Sequence, residues 1–166
     1  MVIEKLGFLV RFWGLRARHA TLGQPLASGE QLELLSLMQL VTSELKVPAP
    51  GTRARPDDAL PAQLIGQGGM LPVEIVHVSA AALVVTGARS MPSGERVILR
   101  TADAVSGVEY TLPCTVAWAH SGRPDAMALV VDGIPARAEL AVAGDAGVGK
   151  AVASLAAMGR QVRLVG

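Results

Sequence analysis

The sequence predicts a mainly β fold: a six-stranded antiparallel barrel, preceded by an N-terminal helical segment and followed by a short C-terminal helix. Three observations carry that expectation. Val108, Tyr110, Leu112, Cys114, Val116 and Trp118 alternate with Glu109, Thr111, Pro113, Thr115, Ala117 and Ala119, the period-two pattern of a long half-buried strand. Eighteen Gly and 10 Pro among 166 residues supply many short connections, which suits strands better than a helical bundle. With 51% hydrophobic and 17% charged positions, the chain can bury a core and is not a disordered tail.

The first 47 residues read as the helical segment. On a helical wheel Ile3, Leu6, Val10, Trp13, Ala17 and Ala20 form one stripe opposite Arg11 and Arg18, with Phe8, Phe12 and Leu15 as a second apolar side. Gly7 and Gly14 weaken this helix by roughly 1 kcal/mol each relative to Ala. Ser28 and Gln31 have capping-box spacing and open a second helix over about residues 29–46. Its apolar stripe is Leu34, Leu37, Met38, Val41 and Leu45, while Leu32, Leu35 and Leu40 project outside it. One packing face does not consume so much apolar surface. Two accounts follow: a helix wedged between the barrel and another helix, or a surface for protein contacts. Residues 48–58, with three prolines, a glycine and four charges, read as an extended linker.

Residues 59–135 are the barrel. Besides the long strand, the sequence places strands at 62–65, 71–79, 82–86, 95–101 and 126–132, joined by Gly-, Pro- and Ser-containing turns. Closure into a barrel removes exposed edges. The apolar set passes from Val73 and Ile75 to Val76 and Val78, a phase slip that predicts a bulge. Residues 136–166 form an extension with a short helix over about 150–158 from its Ala, Leu and Met content, Gly159 as its stop, and 161–165 as an optional terminal strand.

Chemistry-bearing motifs are scarce. Fifteen basic against 14 acidic residues and five aromatics give neither the positive field nor the stacking platform of a nucleic-acid binder. A single cysteine, Cys114, excludes an internal disulfide and a cysteine zinc cluster, and its place on the apolar face marks it as an inert small hydrophobe. His19, His77 and His120 lie far apart, with no partner at metal spacing; His120 reads as a turn residue. The glycine-rich stretch from Gly144 to Ala151 imitates a phosphate-binding loop, but Ala151 stands where Ser or Thr would hold magnesium, and only 15 residues follow it. No enzyme, cofactor or metal is expected. The apolar run from Leu6 to Leu15 is short and cut by Arg11, so neither a spanning segment nor a signal peptide is read, and a cytoplasmic location is expected.

The β region nevertheless resembles a known family. His77-Val-Ser-Ala-Ala-Ala82 leading into Leu83-Val-Val85, then Pro92-Ser-Gly-Glu-Arg-Val-Ile-Leu99, Thr115-Val-Ala-Trp118 and Ala128-Leu-Val-Val131, is similar to a PilZ domain over roughly residues 50–135. The resemblance implies a six-stranded barrel and, for a typical member, binding of cyclic di-GMP. It would place the ligand at an Asp/Asn-x-Ser-x-x-Gly motif and an upstream Arg-x-x-x-Arg pair. Here the acidic or amide position is His77, the serine is Ser79, and the glycine is Ala82. Arg55 stands where the second arginine belongs; Gly51 occupies the first, and Arg53 is offset by two. Losing a bidentate arginine contact and a charge-assisted acceptor weakens binding by roughly 1.5–3 kcal/mol each.

The expected function is therefore a non-enzymatic, PilZ-like signalling or motility adaptor working through protein contacts, as homo- or hetero-oligomer, with Leu32, Leu35 and Leu40 as interaction residues. Cyclic di-GMP is not expected to bind. The competing expectation is a cyclic di-GMP receptor with a rearranged site of Arg53, Arg55, His77 and Ser79. A third, membrane-surface attachment through Lys5, Arg11, Arg16, Arg18, Phe8, Phe12 and Trp13, is set aside, because the same residues serve a packed helix with a solvated basic side.

Overall fold

The computed structural model describes residues 2–21, 25–51, 59–122 and 125–140. Two helices, α1 (Val2–Thr21) and α2 (Ser28–Val41), precede a 3-10 turn (Thr42–Glu44). Seven strands follow: β1 (Leu60–Gly66), β2 (Gly69–Val78), β3 (Leu83–Thr86), β4 (Arg96–Asp103), β5 (Val108–His120), β6 (Ala126–Val131) and β7 (Ala136–Glu139). The first six close a barrel in the order β1-β2-β3-β6-β5-β4, with β4 returning to β1 and every pairing antiparallel. The anticipated strands all form, within a few residues of their expected bounds.

Strand β5 is the spine of the barrel. From Val108 to Val116 every second residue is buried, so one face lines the interior and the other meets solvent. The alternation stops short of Trp118, which was expected to complete it. The pairing with β6 slips between Val116 and Trp118, so Ala117 is a bulge residue and Trp118 is only half-buried, with Nε1 donating to Pro48 O at 2.8 Å. His120 is the exposed last residue of β5 rather than part of a turn. The expected bulge in β2 forms, between Ile75 and His77.

Strand β7 was not anticipated, because residues 136–139 fell within the extension. β5 is longer than β6, and the edge that β6 leaves free at Val108–Thr111 pairs with β7. Gly133 makes the step between them at φ +134°, where an added Cβ would lie 2.9 Å from the Pro113 ring. Only glycine fits there without strain.

Helix α1 lies across the end of the barrel where β2 finishes and β3 begins. Its Trp13 Nε1 donates to Ala80 O at 2.9 Å, and Gly7 lets the helix approach the Tyr110 hydroxyl, 3.0 Å from where a Cβ would stand. Leu6, Leu9, Phe12, Trp13 and Leu15 are all buried in one core with Leu64, Ile75, Leu83, Leu99, Leu112 and Leu129. The expected stripe is thus half right: Leu6, Val10 and Trp13 are buried, whereas Ala20 is exposed. The reason is that α1 is covered on two sides, by the barrel and by α2. It is α1, not α2, that is wedged between barrel and helix.

Helix α2 runs antiparallel on α1. Leu34, Leu37 and Val41 are buried as expected, but Met38 and Leu45 are 46% and 48% exposed. The helix gives way after Val41 to the 3-10 turn, which rotates Leu45 off the stripe. Its start is also shifted by one residue from the expected box. Ala27 is the N-cap, and its N–H donates to Glu30 Oε2 at 3.0 Å, while Gln31 Nε2 reaches Leu26 O. Alanine has no side-chain acceptor, so only half of a capping box exists. Three ion pairs set the register of the two helices: Lys5–Glu44, Arg11–Glu33 and Arg18–Glu30. The helix over 150–158, the Gly144–Ala151 loop, the optional strand over 161–165 and the arginines Arg53 and Arg55 lie outside the described residues.

Candidate functional site

The serine and histidine singled out by the family resemblance sit where the helical head meets the barrel. Ser79 opens the tight turn between β2 and β3. Its hydroxyl donates to Ala82 O at 2.9 Å and accepts from Ala82 N–H at 3.2 Å, and its own N–H also donates to Ala82 O. Both functions of the hydroxyl are consumed inside the turn. Ser79 is 5% exposed, and Ala80 and Ala82 are fully buried.

The rest of the turn is occupied by the helical head. Ala80 O accepts from Trp13 Nε1, and Ala81 N–H donates to Glu44 O at 3.0 Å. A ligand approaching this turn meets groups already paired with the chain's own helices. Trp13 and Glu44 were not flagged by sequence reasoning as belonging here, since no local pattern ties positions 13 and 44 to position 80.

His77 lies two residues before the turn, next to the β2 bulge and opposite Val84. It is half-buried. Burial lowers its pKa below the ordinary 6.5; the Lys5 ammonium acts in the same direction, and the Glu44 carboxylate opposes both. The imidazole is therefore held neutral at neutral pH. Lys5 Nζ donates to Glu44 Oε1 at 2.7 Å, and Glu44 Oε2 is buried without a hydrogen-bond partner. Lys5, Glu44 and His77 form a junction where α1, the 3-10 turn and β2 bring titratable groups together.

Cys114 is 2% exposed, and burial pushes its thiol pKa up to about 12, so the thiolate that would act as nucleophile does not form. Among the described residues no three His, Cys, Asp or Glu side chains converge as metal ligands. Beside α1 a groove of about 330 Å³ runs past Gly7, Gly14, Ile134 and Pro135, with Arg11 and Arg18 at its rim. Those two guanidiniums already hydrogen-bond Glu33 and Glu30, and Arg137 of β7 lines the same groove.

The other set of expected residues has the opposite character. Leu32, Leu35 and Leu40 are 67%, 59% and 70% exposed, and Met38, Leu45 and Val47 are also exposed. The two charged residues of α2, Glu30 and Glu33, both point to arginines of α1. Those arginines hold both carboxyls below the usual carboxylate range through hydrogen bonds. Two of the polar residues on the exposed side satisfy themselves: Ser36 Oγ donates to Leu32 O and Thr42 Oγ1 to Met38 O. The result is a leucine-studded face on α2 without a free charge, whose polar residues include exposed Gln39.

Of the residues expected at a lipid surface, Phe12 and Trp13 are each 1% exposed and Phe8 36% exposed; Lys5, Arg11 and Arg18 are ion-paired, and the Arg16 guanidinium lies over the Phe12 ring. Among the described residues no helix is long and apolar enough to cross a membrane. No known family model matches this chain, and no curated protein matches it.

Proposed function

We propose that this chain is a non-enzymatic adaptor in which a PilZ-like barrel serves as scaffold and the helical head docks a protein through the outer face of α2. The observation that carries the reading is that face itself. A helix normally places its polar residues toward water, yet here the charges are directed inward to α1 and three leucines are left outward. Apolar patches of this kind mark interaction surfaces. A role in cyclic di-GMP signalling or motility is the context that the PilZ resemblance suggests, with cyclic di-GMP itself excluded from the Ser79 turn by Trp13 and Glu44.

The test is site-specific photocrosslinking in cells, with benzoylphenylalanine at position 35 and a control at exposed Ser93 on the barrel. The reading expects a discrete protein adduct from position 35 that the control lacks; no adduct above the control would refute it. Calorimetric titration with cyclic di-GMP addresses the ligand. The adaptor reading expects no binding, and a Kd below about 10 μM would replace it with the receptor reading.

A further inference from the structure

One stripe of the uncovered face of α2, flanked by exposed Leu35, Met38 and Gln39, carries a two-fold pattern. Taken from Gly29, the exposed positions Gly29, Leu32, Ser36, Leu40 and Ser43 follow at spacings of three, four, four and three. At about 100° per residue the helical ones lie on one stripe. The stripe reads the same in both directions: small, leucine, small, leucine, small. If two such helices cross antiparallel about a two-fold axis at Ser36, Leu32 of each lies level with Leu40 of the other. The serine at the crossing lets the backbones approach. An isologous contact needs this kind of self-matching patch.

Resting on the docking reading above, we infer that the occupant of the α2 outer face is a second copy of this chain, packed antiparallel about a two-fold axis near Ser36. Charge supports this choice. Pairing a face with itself brings like charges together wherever it carries any, and here both carboxylates of α2 are committed to Arg11 and Arg18. Depletion of charge is also what distinguishes interface centres from ordinary surface. The hydroxyl of Ser36 is already bonded to Leu32 O, so burying it at the axis strands no donor. A lipid surface does not fit, because α2 has no basic residue to meet headgroups. The 14 residues of α2 span about 21 Å, so the contact consists of a single pair of helices. The dimer is accordingly reversible and concentration-dependent.

Sedimentation velocity of the full chain from about 2 to 200 μM tests this together with cysteine crosslinking. The wild type should shift from the monomer toward the dimer coefficient as concentration rises. The double variant Leu32→Glu/Leu40→Glu should remain monomeric over the whole range, with an unchanged circular dichroism spectrum. Ser36→Cys, at the axis, should convert to a disulfide dimer under copper–phenanthroline several-fold faster than Ser93→Cys on the barrel; buried Cys114 gives no background. A wild type monomeric throughout overturns the inference, as does a dimer indifferent to the glutamates, or equal crosslinking at positions 36 and 93. The photocrosslink at position 35 separates this failure from that of the docking reading: an adduct with a different protein, on a monomeric chain, removes the dimer and keeps the docking face.

Discussion

The turn at residues 79–82 and the outer face of α2 are two places where sequence alone suggested a binding function, and folding treats them oppositely. At the turn the Ser79 hydroxyl and amide, Ala80 O, the Ala81 amide and both backbone groups of Ala82 are paired within the chain. Ser79 bonds to Ala82, Trp13 donates to Ala80 O, and Glu44 O accepts from Ala81 N–H. On α2 the charges have been drawn inward and the leucines left outward. The lesson is that a recognition site is defined by what the fold leaves unsatisfied, and residue type counts only after the intramolecular partners are subtracted.

Breaking the cover over the turn should have the largest effect. Trp13 is 1% exposed and carries the hydrogen bond to Ala80 O. Trp13→Ala removes a large buried side chain and strands a carbonyl, and should cost about 3–5 kcal/mol of stability in urea unfolding. If the protein survives, the turn becomes accessible, and faster amide exchange at Ala81 would report it. A cost under about 1 kcal/mol would mean that α1 does not seal this end of the barrel.

The next test lies within α2, where adjacent leucines are assigned opposite duties. Leu34 is 6% exposed and Leu35 59%. Leu34→Ala should cost about 2–4 kcal/mol, whereas Leu35→Ala should stay within about 0.5 kcal/mol. Position 35 should affect association and position 34 folding. Equal stability losses at the two positions would show that the outer face is covered within the monomer.

A smaller effect is expected at Ser79. In the receptor reading its hydroxyl waits for a ligand, and its removal leaves stability unchanged. In the present structure the hydroxyl holds the turn, so Ser79→Ala leaves the buried Ala82 amide unpaired and should cost about 1–3 kcal/mol. Thermal unfolding of the two proteins decides between the roles.

How much of this was legible beforehand follows from the range of the interactions involved. The strands were legible because period-two burial is written residue by residue, as in Val108 to Val116, and the β2 bulge because the phase slip after Ile75 is local. The break before Trp118 was not, since it is imposed by pairing with β6. Nor was β7, whose Ala-Arg-Ala-Glu sequence carries no apolar alternation and which forms only because β5 outruns β6. Gly7 and Gly14 read as weak points of a helix, whereas they lie where α1 meets Tyr110 and Pro135. At the site, the excess of leucines on α2 showed in the helical wheel; the covering of Ser79 by Trp13 and Glu44 depends on tertiary contacts across more than 30 residues.

The finest distinction concerns His77, at the border between the covered turn and the head. Burial and the Lys5 ammonium hold its folded-state pKa below the ordinary 6.5, and Glu44 only partly offsets them. Between the folded value and about pH 6.5, the unfolded chain therefore binds more protons than the folded one, and stability rises with pH in that window. His77 leaves full stability intact above about pH 6.5; the loss grows as pH falls toward the lowered folded value and then levels off. The paired carboxyls Glu30 and Glu33 have the same sign, but their window lies below their ordinary 4.5, so the two contributions separate on the pH axis. Urea midpoints at about pH 7.5 and about pH 5.5 should differ in the wild type and converge in His77→Gln, which fills similar space without titrating. If His77→Gln keeps the full pH dependence, the imidazole is not held at the closed junction described above, and the contrast between a sealed turn and an open helix face loses its sealed half.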